Sequence, residues 1–191
     1  RTERSIFRMQ SNDLIHWSTP LPIIDRDELD PLDMDFEAMG GMYYENMYLG
    51  FLRVSHTALS TMDCWFAHSR DGFHWQRPRT GPFMSWGPEG SWDSKSVTIS
   101  TPKRVGNELW VYYSGSDEEQ NTAVGLAKLR LDGFVSIDAF DRTAKNRAPT
   151  LMTKPLYSMG NRLVVNADAS EGFIDAELLN VDGYVIDGFS R

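Results

Sequence analysis

Three carboxylates stand two residues apart in Leu32-Asp33-Met34-Asp35-Phe36-Glu37-Ala38-Met39. A strand points every second side chain to one face, so strict alternation puts Asp33, Asp35 and Glu37 on the same side. Like charges held that close raise one another's pKa, which lets one carboxyl keep a proton beside an ionised partner. A further carboxylate, Asp93, follows Trp92 in Ser91-Trp92-Asp93-Ser94. The indole offers a flat apolar face to a ligand ring, and the carboxylate accepts hydrogen bonds from hydroxyls. Asp93 would serve equally as a cap for the backbone amides at the start of a strand. Trp86 and Glu89 lie just upstream in the loop Trp86-Gly87-Pro88-Glu89-Gly90. Glu89 either contacts a ligand or belongs to an ordinary turn, and Trp86 and Trp92 either stack on a ligand or wedge between sheets.

These residues need a scaffold, and the chain writes one in repeats. Ser11-Asn-Asp-Leu-Ile-His-Trp17 returns as Ser69-Arg-Asp-Gly-Phe-His-Trp75. In each copy the serine and aspartate can bind nearby backbone amides and fix a tight turn. The tryptophan then covers the outer end of a strand cluster, and His16 and His74 fall on an outer rim. A later copy keeps only the turn, at Asp132-Gly133, which favours structure over chemistry for the motif.

Between the copies, Phe36–His56 reads as two strands about a Glu45-Asn46 turn, and Asp63–Ser69 as a third, with Cys64, Phe66 and His68 opposed to Trp65 and Ala67. His74–Pro78 makes a short fourth. The order recurs in Ser91–Val105, Glu108–Ser116, Thr122–Leu131 and Phe134–Ala139, with Gly106-Asn107 as its first turn. Arg4–Trp17 reads as the last two strands of a preceding unit. Two four-strand units of about sixty residues each, and half of another, are the pattern of a β-propeller. From Asp141 to Pro149 the chain reads as a linker. Beyond it, strands separated by Met159-Gly160-Asn161, Glu171-Gly172 and Asp182-Gly183 suggest the start of a β-sandwich. The expected division is residues 1–140, 141–149 and 150–191.

Composition narrows the function. The 191 residues carry a net charge of −8 and a pI near 4.9, with no Lys/Arg cluster. Nucleic acid and anionic membranes are therefore poor partners. Cys64 is the single cysteine, so no internal disulfide is possible. One thiol and scattered histidines lack metal-ligand spacing, and no phosphate-cradling glycine loop or G-x-S-x-G elbow occurs, so no metal and no cofactor is expected. The opening on Arg1 suggests a piece of a longer protein, with neither a cytoplasmic nor a secreted location favoured.

The two Ser-x-Asp-x-x-His-Trp turns resemble the S-x-D-x-x-x-W turns of five-bladed β-propeller glycosidases, the clan of invertases, arabinanases and levansucrases in glycoside hydrolase families 32, 43 and 68. Tyr44–Val54 and Val105–Asp117 resemble the second-strand hairpins of that clan. Gly90–Gly115 with Gly125–Ala139 is most similar to a bacterial branch described as glycosyl-hydrolase-like. The resemblance runs over nearly the whole chain. It implies an all-β fold: about two and a half blades of a five-bladed propeller, followed by the truncated sandwich, with the missing blades upstream as partners.

The resemblance also implies a function, cleavage of glycosidic bonds in an oligo- or polysaccharide. Such cleavage uses one protonated carboxyl and one carboxylate across the sugar. Phe36-Glu37-Ala38 keeps the aromatic-Glu-small order of the clan's W-E-C-P general acid but lacks its cysteine and proline. On this reading Glu37 is the acid, with Asp35 and Asp93 in support and Trp86, Trp92 and Glu89 on the substrate. The clan's arginine-aspartate-proline triad is absent, since Asp30-Pro31 follows Leu29. The alternative is a non-catalytic carbohydrate-binding propeller in which the same carboxylates only accept bonds from hydroxyls.

Overall fold

A computed structural model describes residues 4–137, 149–157, 159–170 and 172–190. The chain is all-β: no helix occurs among these residues, and hence none long and apolar enough to cross a membrane. It divides into two compact units, Arg1–Phe134 and Val135–Arg191.

In the first unit, strands β1 (Ile6–Arg8) and β2 (Leu21–Ile24) form an antiparallel pair. The sequence placed the second of these strands before Trp17; the structure places it after, in a proline-punctuated stretch. Pro22 is accommodated because a two-stranded sheet has only edges, where a missing N–H costs no ladder bond.

A meander follows: β3 (Met34–Tyr44), β4 (Met47–His56), β5 (Thr61–Ser69) and β6 (Trp75–Gln76), each antiparallel to its predecessor. In the next group β9 (Glu108–Ser116) pairs on one side with β10 (Thr122–Arg130) and on the other with β7 (Ser96–Ile99) and β8 (Lys103–Val105). The single strand expected over residues 91–105 is thus two pieces, broken around Pro102. The groups join where Met62 of β5 meets Ser96 of β7 in parallel, and the resulting sheet does not close on itself. Asp132-Gly133 makes its turn, with Asp132 in the left-handed region. No strand follows it at Val135–Ile137, and Asp138 and Ala139 lie outside the described residues.

Alternation along the strands divides two cores. Phe36, Leu52, Val54 and Ala67 pack on one face of the first meander with Ile24, and Trp75 leans on them. Leu49, Phe51, Cys64 and Phe66 pack on the other face. There the rings of Phe51, Phe66, Phe83 and Phe134 meet at 5.6–6.4 Å. Burying each such side chain contributes about 1.5–3 kcal/mol.

The repeated turn is the same object twice. Ser11 Oγ accepts from the amides of Asp13 and Leu14, and Asp13 Oδ1 from those of Ile15 and His16, at 2.8–3.2 Å. Ser69 and Asp71 repeat this with Asp71, Gly72, Phe73 and His74 at 2.8–3.3 Å. His16 and His74 turn back onto Asp13 and Asp71, at 2.7 and 2.6 Å. Those bonds hold both carboxyls well below the usual range, the histidine side chain contributing most. Trp75 does cover the core, whereas Trp17 stays 50% exposed.

Glu45 and Asn46 both take positive φ, 44° and 61°, as the tightest hairpin turn requires. Glutamate is a poor occupant of that region and asparagine a good one. Glu45→Asn is expected to stabilise the protein by about 0.5 kcal/mol, read as a higher denaturation midpoint at unchanged slope.

The second unit carries little regular structure among its described residues. Leu179 and Val185 form one bridge about the Asp182-Gly183 turn, where Asn180 Oδ1 accepts from the amides of Asp182 and Tyr184. The strands expected on either side of Met159-Gly160-Asn161 are not formed. Glu171 of the next expected turn, and residues 141–148 of the expected linker, lie outside the described residues.

Candidate functional site

One end of the first unit gathers its polar residues: the start of β3, the end of β4, the start of β5, and the loop running into β7. Strict alternation does not hold through the carboxylates of β3. Asp35 pairs with Ser55 and Phe36 with Val54, but Ala38 pairs with Arg53, so Glu37 is the extra residue of a β-bulge. A bulge leaves its extra residue out of the pairing and bends the strand locally. Glu37 stays within reach of Ser55, the partner of Asp35: Ser55 Oγ donates to its Oε1 at 2.8 Å, and Arg4 forms an ion pair with Oε2. Asp35 is buried. Asp33 precedes the strand, and its carbonyl accepts from the Thr57 amide and hydroxyl at 3.0 and 3.2 Å.

Asp93 is held in the loop that runs into β7. Its Oδ1 accepts from Ser91 Oγ at 2.8 Å and its Oδ2 from Tyr113 hydroxyl at 3.3 Å, and burial with this carboxylate pushes the Tyr113 phenol up. Gly87 N–H donates to the Asp93 carbonyl, closing the loop 87–93. The loop lies against β9 where Gly115 leaves room: a Cβ there would sit 2.5 Å from Asp93 Cβ. Trp92 stacks on Tyr113 at 5.4 Å with 38% of its surface exposed, an aromatic face open to solvent. Trp86 sets its ring edge-on to His56 at 5.5 Å. Glu89 stands exposed at the loop's tip beside Gly90.

Sequence reasoning missed the centre of this end. His56 Nε2 lies 3.1 Å from Asp63 Oδ2, with 13% and 3% of the two side chains exposed, yet it is not aligned into a hydrogen bond. Trp65 Nε1 donates to the other Asp63 oxygen at 2.8 Å. Burial pushes the Asp63 carboxyl above its usual range, against the pull of His56 and Trp65. The available signal was a lone carboxylate inside an apolar strand, Thr61-Met-Asp63-Cys-Trp65-Phe-Ala67. Such a group needs a partner or a function.

A carboxyl that ionises at higher pH in the fold than in the unfolded chain weakens the fold as pH rises through that window. Asp63→Asn lacks the titration. The wild type is therefore expected to gain on the variant, in chemical unfolding, between about pH 7 and about pH 4. A constant difference across that range goes against the assignment.

No protein-family model and no curated protein matches the chain. Among solved structures, an N-acetylgalactosamine deacetylase from F. plautii in complex with blood group B trisaccharide aligns at 18% identity and a TM-score of 0.51, over 68% of this chain and 42% of that one. The β-1,2-mannobiose phosphorylase from Listeria innocua in complex with β-1,2-mannobiose aligns at 19% and 0.50, over 69% of this chain and 35% of that one. A glycoside hydrolase aligns at 17% identity over 52% of this chain and 34% of that one, with a TM-score of 0.44 that carries no argument. The chain thus spans well under half the length of each. The deacetylase and the phosphorylase are both carbohydrate-active proteins, and the likeness to them at these identities is one of fold.

Proposed function

We propose that this chain is part of a carbohydrate-active protein, two and a half blades of a five-bladed propeller followed by the start of a sandwich. The carboxylate-rich end of the first unit faces the saccharide in this reading. The observation that carries it is the pair of carboxylates on β3, Asp35 set opposite Ser55 and Glu37 oriented by the Ser55 hydroxyl. The saccharide ligands of two solved neighbours support the same substrate class.

Within that reading the protein is a glycoside hydrolase. Glu37 exchanges a proton with the glycosidic oxygen, Asp35 is the second carboxylate, and Asp93 accepts from a sugar hydroxyl. Trp92 stacks on the sugar, with Trp86 and Glu89 on the same loop. Arg4 is a displaceable partner, its side chain 61% exposed. A second reading, saccharide binding without turnover, is favoured by that same ion pair, which uses Glu37 as an acceptor rather than a proton donor. The test is hydrolysis and binding of a panel of aryl glycosides and oligosaccharides by the full-length protein and its Glu37→Gln variant. Turnover lost with binding kept supports the hydrolase. Binding without turnover in the wild type supports the second reading, and neither activity goes against both.

A further inference from the structure

Arg53 lies in the middle of β4, an apolar strand, paired with Ala38 on one side and Cys64 on the other. Its Nε is buried and finds no hydrogen-bond partner. None of the ion pairs among the described residues involves it. A guanidinium cannot shed its charge to escape this situation, because it stays protonated at any pH a protein tolerates. Neither of its two strand partners, Ala38 and Cys64, supplies an anion. Burial pushes the Cys64 thiol up to about 12, so the sulfur is neutral, and Glu37, next to Ala38, already has Arg4 as its counter-ion.

The residue lines a cavity of about 170 Å³ between β3 and β7. Around it stand Gly40, Phe51, Val97 and Ile99, which are apolar, and Thr98, whose hydroxyl has only a weak contact with Met62 sulfur at 3.7 Å. A buried N–H without an acceptor in such surroundings is costly unless something completes it. A planar oxyanion answers both the charge and the fork of donors, and in an apolar pocket the pairing is stronger than in water.

We infer that this cavity receives the carboxylate of an acidic sugar, a uronic acid residue, with Arg53 as the specificity-determining group beside the carboxylates of β3. The inference rests on the saccharide reading above and adds the charge of the sugar to it. The same guanidinium chemistry would take inorganic phosphate, so the test separates the two.

Binding of a uronate-bearing oligosaccharide, its neutral counterpart of equal linkage, and inorganic phosphate is measured by calorimetry on the full-length protein, Arg53→Gln and Arg53→Lys. Circular dichroism checks that each variant is folded. The acidic sugar is expected to bind about ten- to a hundredfold tighter than the neutral one, the range of a hydrogen-bonded charge pair. Arg53→Gln removes that preference and Arg53→Lys restores part of it. Should the glutamine variant fail to fold, the acidic-to-neutral ratio of the wild type and the lysine variant still decides. Equal affinity for both sugars overturns the inference while leaving the saccharide reading in place. Phosphate bound and both sugars refused overturns both, as does refusal of all three.

Discussion

Asp30→Asn is expected to cost the protein about 3–5 kcal/mol, the range for breaking one side of a buried ion pair, and to lower Tm by roughly 6–20 °C. Only 2% of the Asp30 side chain is exposed. Arg77 grips it with both terminal nitrogens, at 3.1 and 2.5 Å, Arg79 adds a third bond at 3.2 Å, and the Asp27 amide a fourth at 2.9 Å. Arg79 also pairs with Asp27. The Arg77 guanidinium lies over the Phe36 ring, so the charge cluster is seated directly on the core. An asparagine of the same shape leaves two arginines without their shared carboxylate.

The pH dependence gives a second check. Burial alone would raise the Asp30 carboxyl, but the hydrogen bonds and charges of Arg77 and Arg79 outweigh it and the net direction is down. A depressed carboxylate stabilises the fold above its unfolded pKa and loses that contribution as pH falls through its folded one. The gap between wild type and Asp30→Asn should therefore be fully open at neutral pH and narrow below about pH 4. A gap of the same size at both would show that packing, not charge, holds the hub.

On the hydrolase reading proposed above, Glu37→Gln is expected to lower kcat by about 10²–10⁴-fold, with KM nearly unchanged. Glutamine matches the shape of glutamate and can still accept from Ser55, so the bulge and its neighbours should survive. What it cannot do is pass a proton. The pair of constants matters more than the loss. If KM rises while kcat holds, Glu37 serves binding alone, and if neither moves the proton carrier is another group, with Asp93 next in line. Because Glu37 is not in the core, the melting temperature should move little. A large fall there would mean that the Arg4 pair is structural.

Local signals carried most of what the sequence disclosed. The Glu45-Asn46 hairpin, the two Ser-x-Asp-x-x-His-Trp turns and the faces of β5 are all set by residues within a few positions of one another, and each was readable. What escaped depends on residues far apart. The bulge at Glu37 is a matter of register between β3 and β4, which alternation alone does not fix. Asp30 and Arg77 are 47 positions apart, and a loop aspartate-proline pair gave no hint of a buried hub. His56 and Asp63 meet only because β4 turns back on β5. Arg53 shows the limit most directly: a lone cation in an apolar strand was in plain view, but that its buried Nε finds no acceptor is a property of the folded neighbourhood.

The paired turn has a consequence of another kind. Its bonds run from serine, aspartate and tryptophan to atoms no more than three positions away. Nothing outside the seven residues is needed to shape them, so the segment is portable. It can be copied with a duplicated stretch of gene, or grafted by hand onto another hairpin, and it will carry its conformation along. That self-sufficiency explains how the same seven-residue shape is kept where the surroundings differ, with Leu14 in one copy and Gly72 in the other at the same left-handed position. The turn can thus keep one shape while the strands around it differ.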